Sequence, residues 1–347
     1  MTHKQWICVF LSVVVVIMCI FGGVTYSVDP LLQFHKEHPN ITYYEYDEVY
    51  SNPGIAMHHD YDTILVGTSL IQNTNMAEFR DLLICDPVRL SYSGGTSCNM
   101  KTILDIGFSS HNSIDTVYWE LNKHQLVMPH DEPVTPLPEY LYGNDRSQVL
   151  SYLLNLDIFY RFTSRNILET LRGNVQNAAR EGIMFTGDFS KEGALSQYSR
   201  SEQTDHTYPR DYYLQVGQEN LDKNFLPLIR DNPDTKFVFF LVPLSTLFWD
   251  YEITHGTFDA TFELYASVLP QLLEHDNVEV HFLIDEWNIV TDLNHYKDYS
   301  HYSPEINSYI TQRLADKTKL LTRENYISVL ENAKEYLSAY DYESIFS

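Results

Sequence analysis

The sequence predicts an α/β protein, and three observations predict it. Five short apolar runs, at 62–67, 88–91, 115–121, 236–242 and 278–283, carry the continuous hydrophobicity of strands buried on both faces. Helical periodicity fills the gaps at 76–83, 98–108 and 258–273 and resumes at 304–314, and parallel neighbours require such crossovers. An uncharged apolar run opens the chain. Together they give a flavodoxin-like three-layer αβα sandwich with a five-stranded parallel sheet, one N-terminal transmembrane helix and a helical insertion.

In chain order, residues 1–5 are a tail on the cytoplasmic side and 6–27 the transmembrane helix. The 21 residues from Trp6 to Tyr26 span roughly 32 Å as a helix, about one hydrocarbon core. Lys4 precedes the run and Asp29 follows it, so the positive-inside rule exports what comes after. The alternative is a cleaved signal peptide, with Thr25 and Ser27 as small residues near the cleavage point. Residues 28–60, rich in Tyr, His, Pro and Asn and lacking either period, read as a connector. The main domain covers 61–320. Its strand–helix rhythm breaks between 123 and 233, where a Pro-rich stretch (129–138) leads into helical runs near 147–155, 158–179 and 210–229. Following the third strand, this insertion would lie at the carboxyl edge of the sheet, where open α/β folds bind ligands. Residues 321–347 form a docked terminal helix, with Tyr326, Val329, Leu330, Ala333, Tyr336 and Leu337 at helical spacing.

Composition removes several classes of function. The chain of 347 residues has 44% hydrophobic residues, enough for a buried core, so disorder is excluded as its main state. Forty-seven acidic residues against 23 basic give a net charge of -24, which repels phosphate backbones, so no nucleic-acid partner is expected. Four cysteines make no disulfide framework. Cys8 and Cys19 lie in the apolar helix, and an exported Cys85 and Cys98 could form a bond only if the fold brought them together. His58, His59 and Asp60, or His295 with His301, lack ligand spacing on one helical face, so no metal site is assigned. The sequon at Asn40 has meaning only in a secreted eukaryotic protein.

Chemistry-bearing residues gather after the predicted strands. Ser69, in Gly67-Thr68-Ser69, stands just past the first strand, where a sharp turn would present its hydroxyl at the carboxyl edge. Gly94, in Gly94-Gly95-Thr96, follows the second strand, and glycine there lets a backbone N–H approach a ligand. Asn122, in Glu120-Leu121-Asn122-Lys123, ends the third, and its side-chain amide can donate to an oxyanion. After the fifth, Asp298 and His301 offer a carboxylate and an imidazole within one turn, as a hydroxyl nucleophile requires. Asp292 and His295 repeat that spacing. The later pair is preferred because it adjoins the next helix.

GTS, GGT, ELNK and DYSHYS, in that order and at those strand ends, resemble the SGNH (GDSL-like) hydrolase superfamily over 61 to about 315. The resemblance implies Ser69 as nucleophile, Asp298 and His301 as its relay, and Ser69, Gly94 and Asn122 as oxyanion hole, with no cofactor and no metal. Thr68 stands where that family has the Asp of G-D-S, and Glu120 and Lys123 replace the outer residues of G-x-N-D. A single anchor ahead of such a domain also resembles the membrane partners of O-acyltransferases in D-alanyl-teichoic-acid transfer and alginate acetylation. That likeness implies an esterase or O-acyltransferase on the outer face of the cell membrane. Its substrate would be an acylated cell-surface polysaccharide or polymer, with a membrane O-acyltransferase as partner. The competing class is a non-catalytic glycan-binding or envelope-assembly protein of the same fold.

Overall fold

A computed structural model describes residues 2–44, 46–110, 113–143, 148–174, 185–201 and 210–346. The chain forms two compact units, one of residues 1–60 and 135–180, the other of 61–134 and 181–347.

The second unit is built on a sheet of β1 (Thr63–Gly67), β2 (Pro87–Ser91), β3 (Thr116–Glu120), β4 (Lys236–Leu241), β5 (Val278–Phe282) and β6 (Leu320–Leu321) in the order β2-β1-β3-β4-β5-β6. The first five strands are parallel, in the flavodoxin-like order, and coincide with the five apolar runs. The expected sheet gains a sixth member: Leu320 and Leu321 pair antiparallel with His281 and Val280. Two residues are too few to display a period, so this edge has no signature in the sequence. Ile64, Leu65 and Val66 of β1 and Phe237 to Phe240 of β4, successive residues that point to opposite faces, are almost wholly buried, which is why these strands do not alternate with polar residues. Trp119 stacks on Phe225 with centroids 4.6 Å apart and donates its indole N–H to Gln125 Oε1 at 2.8 Å.

Helices flank the sheet. In chain order the first five of the molecule are α1 (His3–Val28), α2 (Glu48–His58), α3 (Met76–Leu83), α4 (Ser97–Ser110) and α5 (Lys123–Val127). Within the second unit α3 packs against helix Pro304–Asp316, while helix Arg210–Asn220 packs against α5 and helix Phe258–Leu272. Helix Tyr326–Ala339 docks by Leu330, Ala333 and Leu337.

The first unit holds α1, α2 and short helices between 139 and 171 around a core of Leu31, Leu141, Tyr152, Ile158 and Phe162. α1 is long and apolar enough to cross a membrane. It stops at Asp29, which takes a left-handed conformation (φ 41°) and is fully buried. The Asp29 carboxylate accepts from the backbone N–H groups of Gln33, Phe34 and His35 at 2.8–3.1 Å and from the Tyr152 hydroxyl at 2.9 Å. A buried acid is tolerated there because four donors replace its water. Residues 28–60 include α2, whose start is capped by the Asp47 carboxylate on the N–H groups of Val49 and Tyr50. The 123–233 stretch is shared: 135–174 lies in the first unit, 123–134 and 185–233 in the second. Residues 147 and 175–179 of its expected helices fall outside the described residues.

Candidate active site

Strand order decides which loops meet. β1 lies between β2 and β3, and all three run parallel, so the turns that follow them emerge side by side at one sheet edge. Ser69 therefore stands between Gly94 and Asn122. The order reverses between β1 and β3, the switch point at which open α/β sheets leave a crevice.

Each turn has a local cause. Thr68 caps a single 3-10 turn, Ser69–Ile71, which leaves Ser69 half-buried while Leu70 and Ile71 point into the core. Gly67 must lack a Cβ, which would stand 2.7 Å from the Cβ of Glu120. Gly94 has φ +62°, a conformation glycine adopts freely. Its carbonyl accepts from His124 Nε2 at 3.0 Å, which fixes the proton on that nitrogen and ties the β2 turn to α5. Burial pushes the His124 ring pKa down, consistent with a neutral donor. Asn122 caps α5, accepting from the Gln125 N–H at 3.3 Å.

His301 arrives from farther away. β5 is three strands from β1, roughly 14 Å, so the chain after β5 must return along the sheet edge. It is pinned on the way by Tyr296, whose hydroxyl donates to the Pro243 carbonyl at 2.7 Å, and by Ser245, which donates to the Tyr299 carbonyl at 2.6 Å. A bridge between Tyr296 and Tyr302 and the bond from Lys297 N–H to the His301 carbonyl at 3.0 Å close the loop.

The result is a continuous relay. Ser69 Oγ lies 2.8 Å from His301 Nε2, and His301 Nδ1 lies 2.8 and 3.0 Å from the two Asp298 carboxylate oxygens. Asp298 also accepts from the backbone N–H groups of His301 and Ser300 at 2.8 and 2.9 Å. Burial alone would raise the Asp298 carboxyl, but its bonds and attraction to His301 and the Ser300 N–H outweigh that and hold it at about 2. The carboxylate is ionised at neutral pH and fixes the imidazole with its proton on Nδ1, leaving Nε2 to accept from Ser69. Both Ser69 and His301 face a cavity of about 670 Å³ whose wall also includes Gly94, Asn122, Lys123 and Tyr299.

Side chains beyond the expected relay and oxyanion hole also shape this site. Glu120, fully buried, accepts at Oε2 from the Thr68 N–H and hydroxyl at 2.9 and 2.8 Å and at Oε1 from Asn122 Nδ2 at 2.7 Å. Burial pushes its carboxyl up, and those donors pull against it. One acid thus couples the Ser69 turn to the Asn122 amide; a lone acid closing an apolar strand, TVYWE, was its signal. Phe185 meets the His301 ring edge-on at 5.5 Å and is held by Asn73 through paired 3.0 Å bonds to its N–H and carbonyl. No local pattern marks that contact, 116 residues apart. In the cavity wall Lys123 Nζ is 2.7 Å from both oxygens of Glu252, which also accepts from Thr257 and Thr261. A row of rings, Phe248, Tyr299, Tyr251 and His255, runs along the same wall with neighbouring centroids 6.3, 6.0 and 3.8 Å apart.

The remaining candidates lie elsewhere. His295 Nε2 is 3.7 Å from Asp292, the ring half-buried and the carboxylate exposed. His59 is buried beside Glu37, and Asp60 pairs with Lys36. Among the described residues no group of three or more His, Cys, Asp or Glu is arranged to hold a metal ion. All four cysteines are free, and burial pushes the Cys85 thiol up to about 11.

No protein-family model matches the sequence, and no curated protein matches it. Among solved structures, one described as that of "a putative platelet activating factor from Streptococcus pneumonia" is similar at a TM-score of 0.40 and 10% identity, over 78% of this chain and 89% of that one.

Proposed function

We propose that this protein is a membrane-anchored serine esterase or O-acyltransferase of the SGNH type, acting outside the membrane on ester-linked acyl groups of a cell-surface glycan. The observation that carries the reading is the relay itself: a half-buried serine hydroxyl 2.8 Å from an imidazole whose other nitrogen rests on an ionised carboxylate, at the wall of an open cavity. Structural serines rarely need an oriented base; a nucleophilic one does.

In the proposed reaction Ser69 Oγ attacks the ester carbonyl carbon as its proton passes to His301 Nε2. Asp298 stabilises the imidazolium and keeps its orientation, without itself taking the proton. The backbone N–H groups of Ser69 and Gly94 receive the developing oxyanion, joined by the Asn122 amide, whose Nδ2 is held by Glu120 at 2.7 Å and turns its second N–H from a long 3.4 Å contact with Thr68 Oγ1 to the substrate. Collapse expels the alcohol, protonated by His301, and leaves an acyl-Ser69. Water or a sugar hydroxyl, deprotonated by His301, then attacks this ester and regenerates the serine. Water gives hydrolysis and a sugar hydroxyl gives transfer.

Two features support the sugar. The row of rings beside Asp298 offers flat apolar faces of the kind on which pyranoses stack, and the net charge of -24 disfavours polyanionic substrates. Lys4 before the apolar helix and Asp29 after it support an outward-facing domain. A fluorophosphonate probe on the full-length protein in detergent tests the proposal. Labelling of the wild type, lost in Ser69→Ala and in His301→Ala, is expected; absence of labelling between pH 6 and 9 would replace it with the non-catalytic, glycan-binding reading.

A further inference from the structure

We infer that the helices between 149 and 171 lie in the outer leaflet of the bilayer beside α1, so that the protein is held by an interfacial helical platform as well as by its membrane-spanning helix. The inference rests on the anchor proposed above and concerns only the first unit.

Depth follows from α1. Trp6 and Tyr26, the aromatic residues near its two ends, are 20 residues apart, about 30 Å along a helix, which matches the hydrocarbon thickness and the interfacial preference of both rings. Phe21 is five residues inside Tyr26, hence about 7 Å below the outer boundary of the hydrocarbon. At that level α1 is not in contact with lipid alone. The Phe21 ring stacks on Phe159 with centroids 4.4 Å apart and planes at 27°. Beside Gly22, Leu154 Cδ2 and Leu153 Cβ lie 3.4 and 3.7 Å from where a Cβ would stand. Residues 153–159 therefore share the depth of Phe21 and Gly22.

Their outward surface fits such a place. Leu156 and Tyr160 are 64% and 71% exposed, and Leu168 and Leu171 are 41% and 80% exposed. These positions, with Ser164 between them, are spaced by four, four, four and three, so the apolar residues form one stripe along consecutive helical turns. A stripe of that size facing water would be an aggregation hazard, but facing acyl chains it is a membrane contact. The backbone is helical from Val149 to Leu153 and from Leu156 to Leu171, so its polar groups are satisfied without water. The charges that interrupt the stripe are paired within the protein, Arg161 with Asp47 and Asp157 and both Arg165 and Arg172 with Glu169, which lowers the cost of placing them near acyl chains.

The occupant of this surface is thus lipid, fixed by continuity with the bilayer that α1 crosses. The test uses the full chain in phosphatidylcholine vesicles with p-benzoylphenylalanine replacing Leu156, Tyr160 or Leu171, one at a time, and Val13 of α1 as reference. Leu156 and Leu171 are exposed, and the Tyr160 ring, edge-on to Phe159 at 5.9 Å, is replaced by another aromatic ring. Irradiation is expected to add the mass of one phospholipid at each position, in yield comparable to that at Val13. Lipid adducts at Val13 with none at the other three would overturn the platform and leave the anchor standing. Cross-links from 156, 160 or 171 to a second protein chain would overturn it in favour of a protein partner. Failure at Val13 itself would remove the anchor, and the platform with it.

Discussion

Two Asp-x-x-His quartets lie within ten residues of each other, Asp292 to His295 and Asp298 to His301, and their carboxylates begin alike: each accepts local backbone N–H groups, from Asn294 in the first and from Ser300 and His301 in the second. The rings then part company. His295 reaches its exposed carboxylate only at 3.7 Å, and Asp292 also accepts from the Asn294 side chain. His301 places Nδ1 at 2.8 Å from Asp298 and presents Nε2 to a hydroxyl 232 residues away in the chain. A spacing that satisfies a turn is common; the serine at the far side of the ring is what turns it into a relay.

Mutation can break that contrast most forcefully at the relay. Ser69→Ala or His301→Ala is expected to lower ester turnover by about 10⁴- to 10⁶-fold, and Asp298→Asn by about 10⁴-fold, measured with a chromogenic acetate ester. Asp292→Asn and His295→Ala should each change it by less than about twofold, since surface changes of this kind shift little. An equal loss in the earlier quartet would erase the distinction. A smaller loss belongs to the proposed oxyanion contact: Asn122→Ala should cost about 10²- to 10³-fold in kcat. If KM rose instead and kcat held, the amide would be binding ground-state substrate.

Below these lie effects on stability. Gly94→Ala meets only ordinary contact with Val134, at 3.5 Å, but keeps a left-handed backbone, so a loss of about 1–2 kcal/mol in urea unfolding is expected. The smallest effect sharpens the comparison through pH. Because Asp298 is held at about 2, below its ordinary 3.8, its contribution to stability is present above the unfolded value and fades as pH falls through about 2. The stability gap between wild type and Asp298→Asn should therefore narrow from pH 5 to pH 2.5 in denaturant titrations. A constant gap would mean that the carboxylate is not held by charge.

Much of this was legible along the chain. Strands buried on both faces announce themselves as unbroken apolar runs, and parallel strands demand crossovers, so 62–67 to 278–283 gave the sheet and its class. The membrane-length helix was legible for the same reason, since an uncharged apolar run from Trp6 to Tyr26 is long enough to cross a bilayer. Ser69, Gly94 and Asn122 were legible as polar or flexible residues directly after strands, where backbone direction alone sends them to one edge.

What the chain could not disclose depends on distances between residues remote in sequence. Asp298 and His301 were preferred over Asp292 and His295 for their place beside the next helix, but the contact of His301 with Ser69 depends on the path pinned by Tyr296 on Pro243 and Ser245 on Tyr299. The roles of Glu120 under Thr68 and of Phe185 against His301 needed the packing of β1 on β3 and of Asn73 on residue 185. The pairing of helices 149–171 with Phe21 and Gly22 of α1 needed the same kind of information. Periodicity records which side of an element meets apolar surroundings; it holds no record of which other element supplies them, because that is fixed only when the whole chain closes on itself.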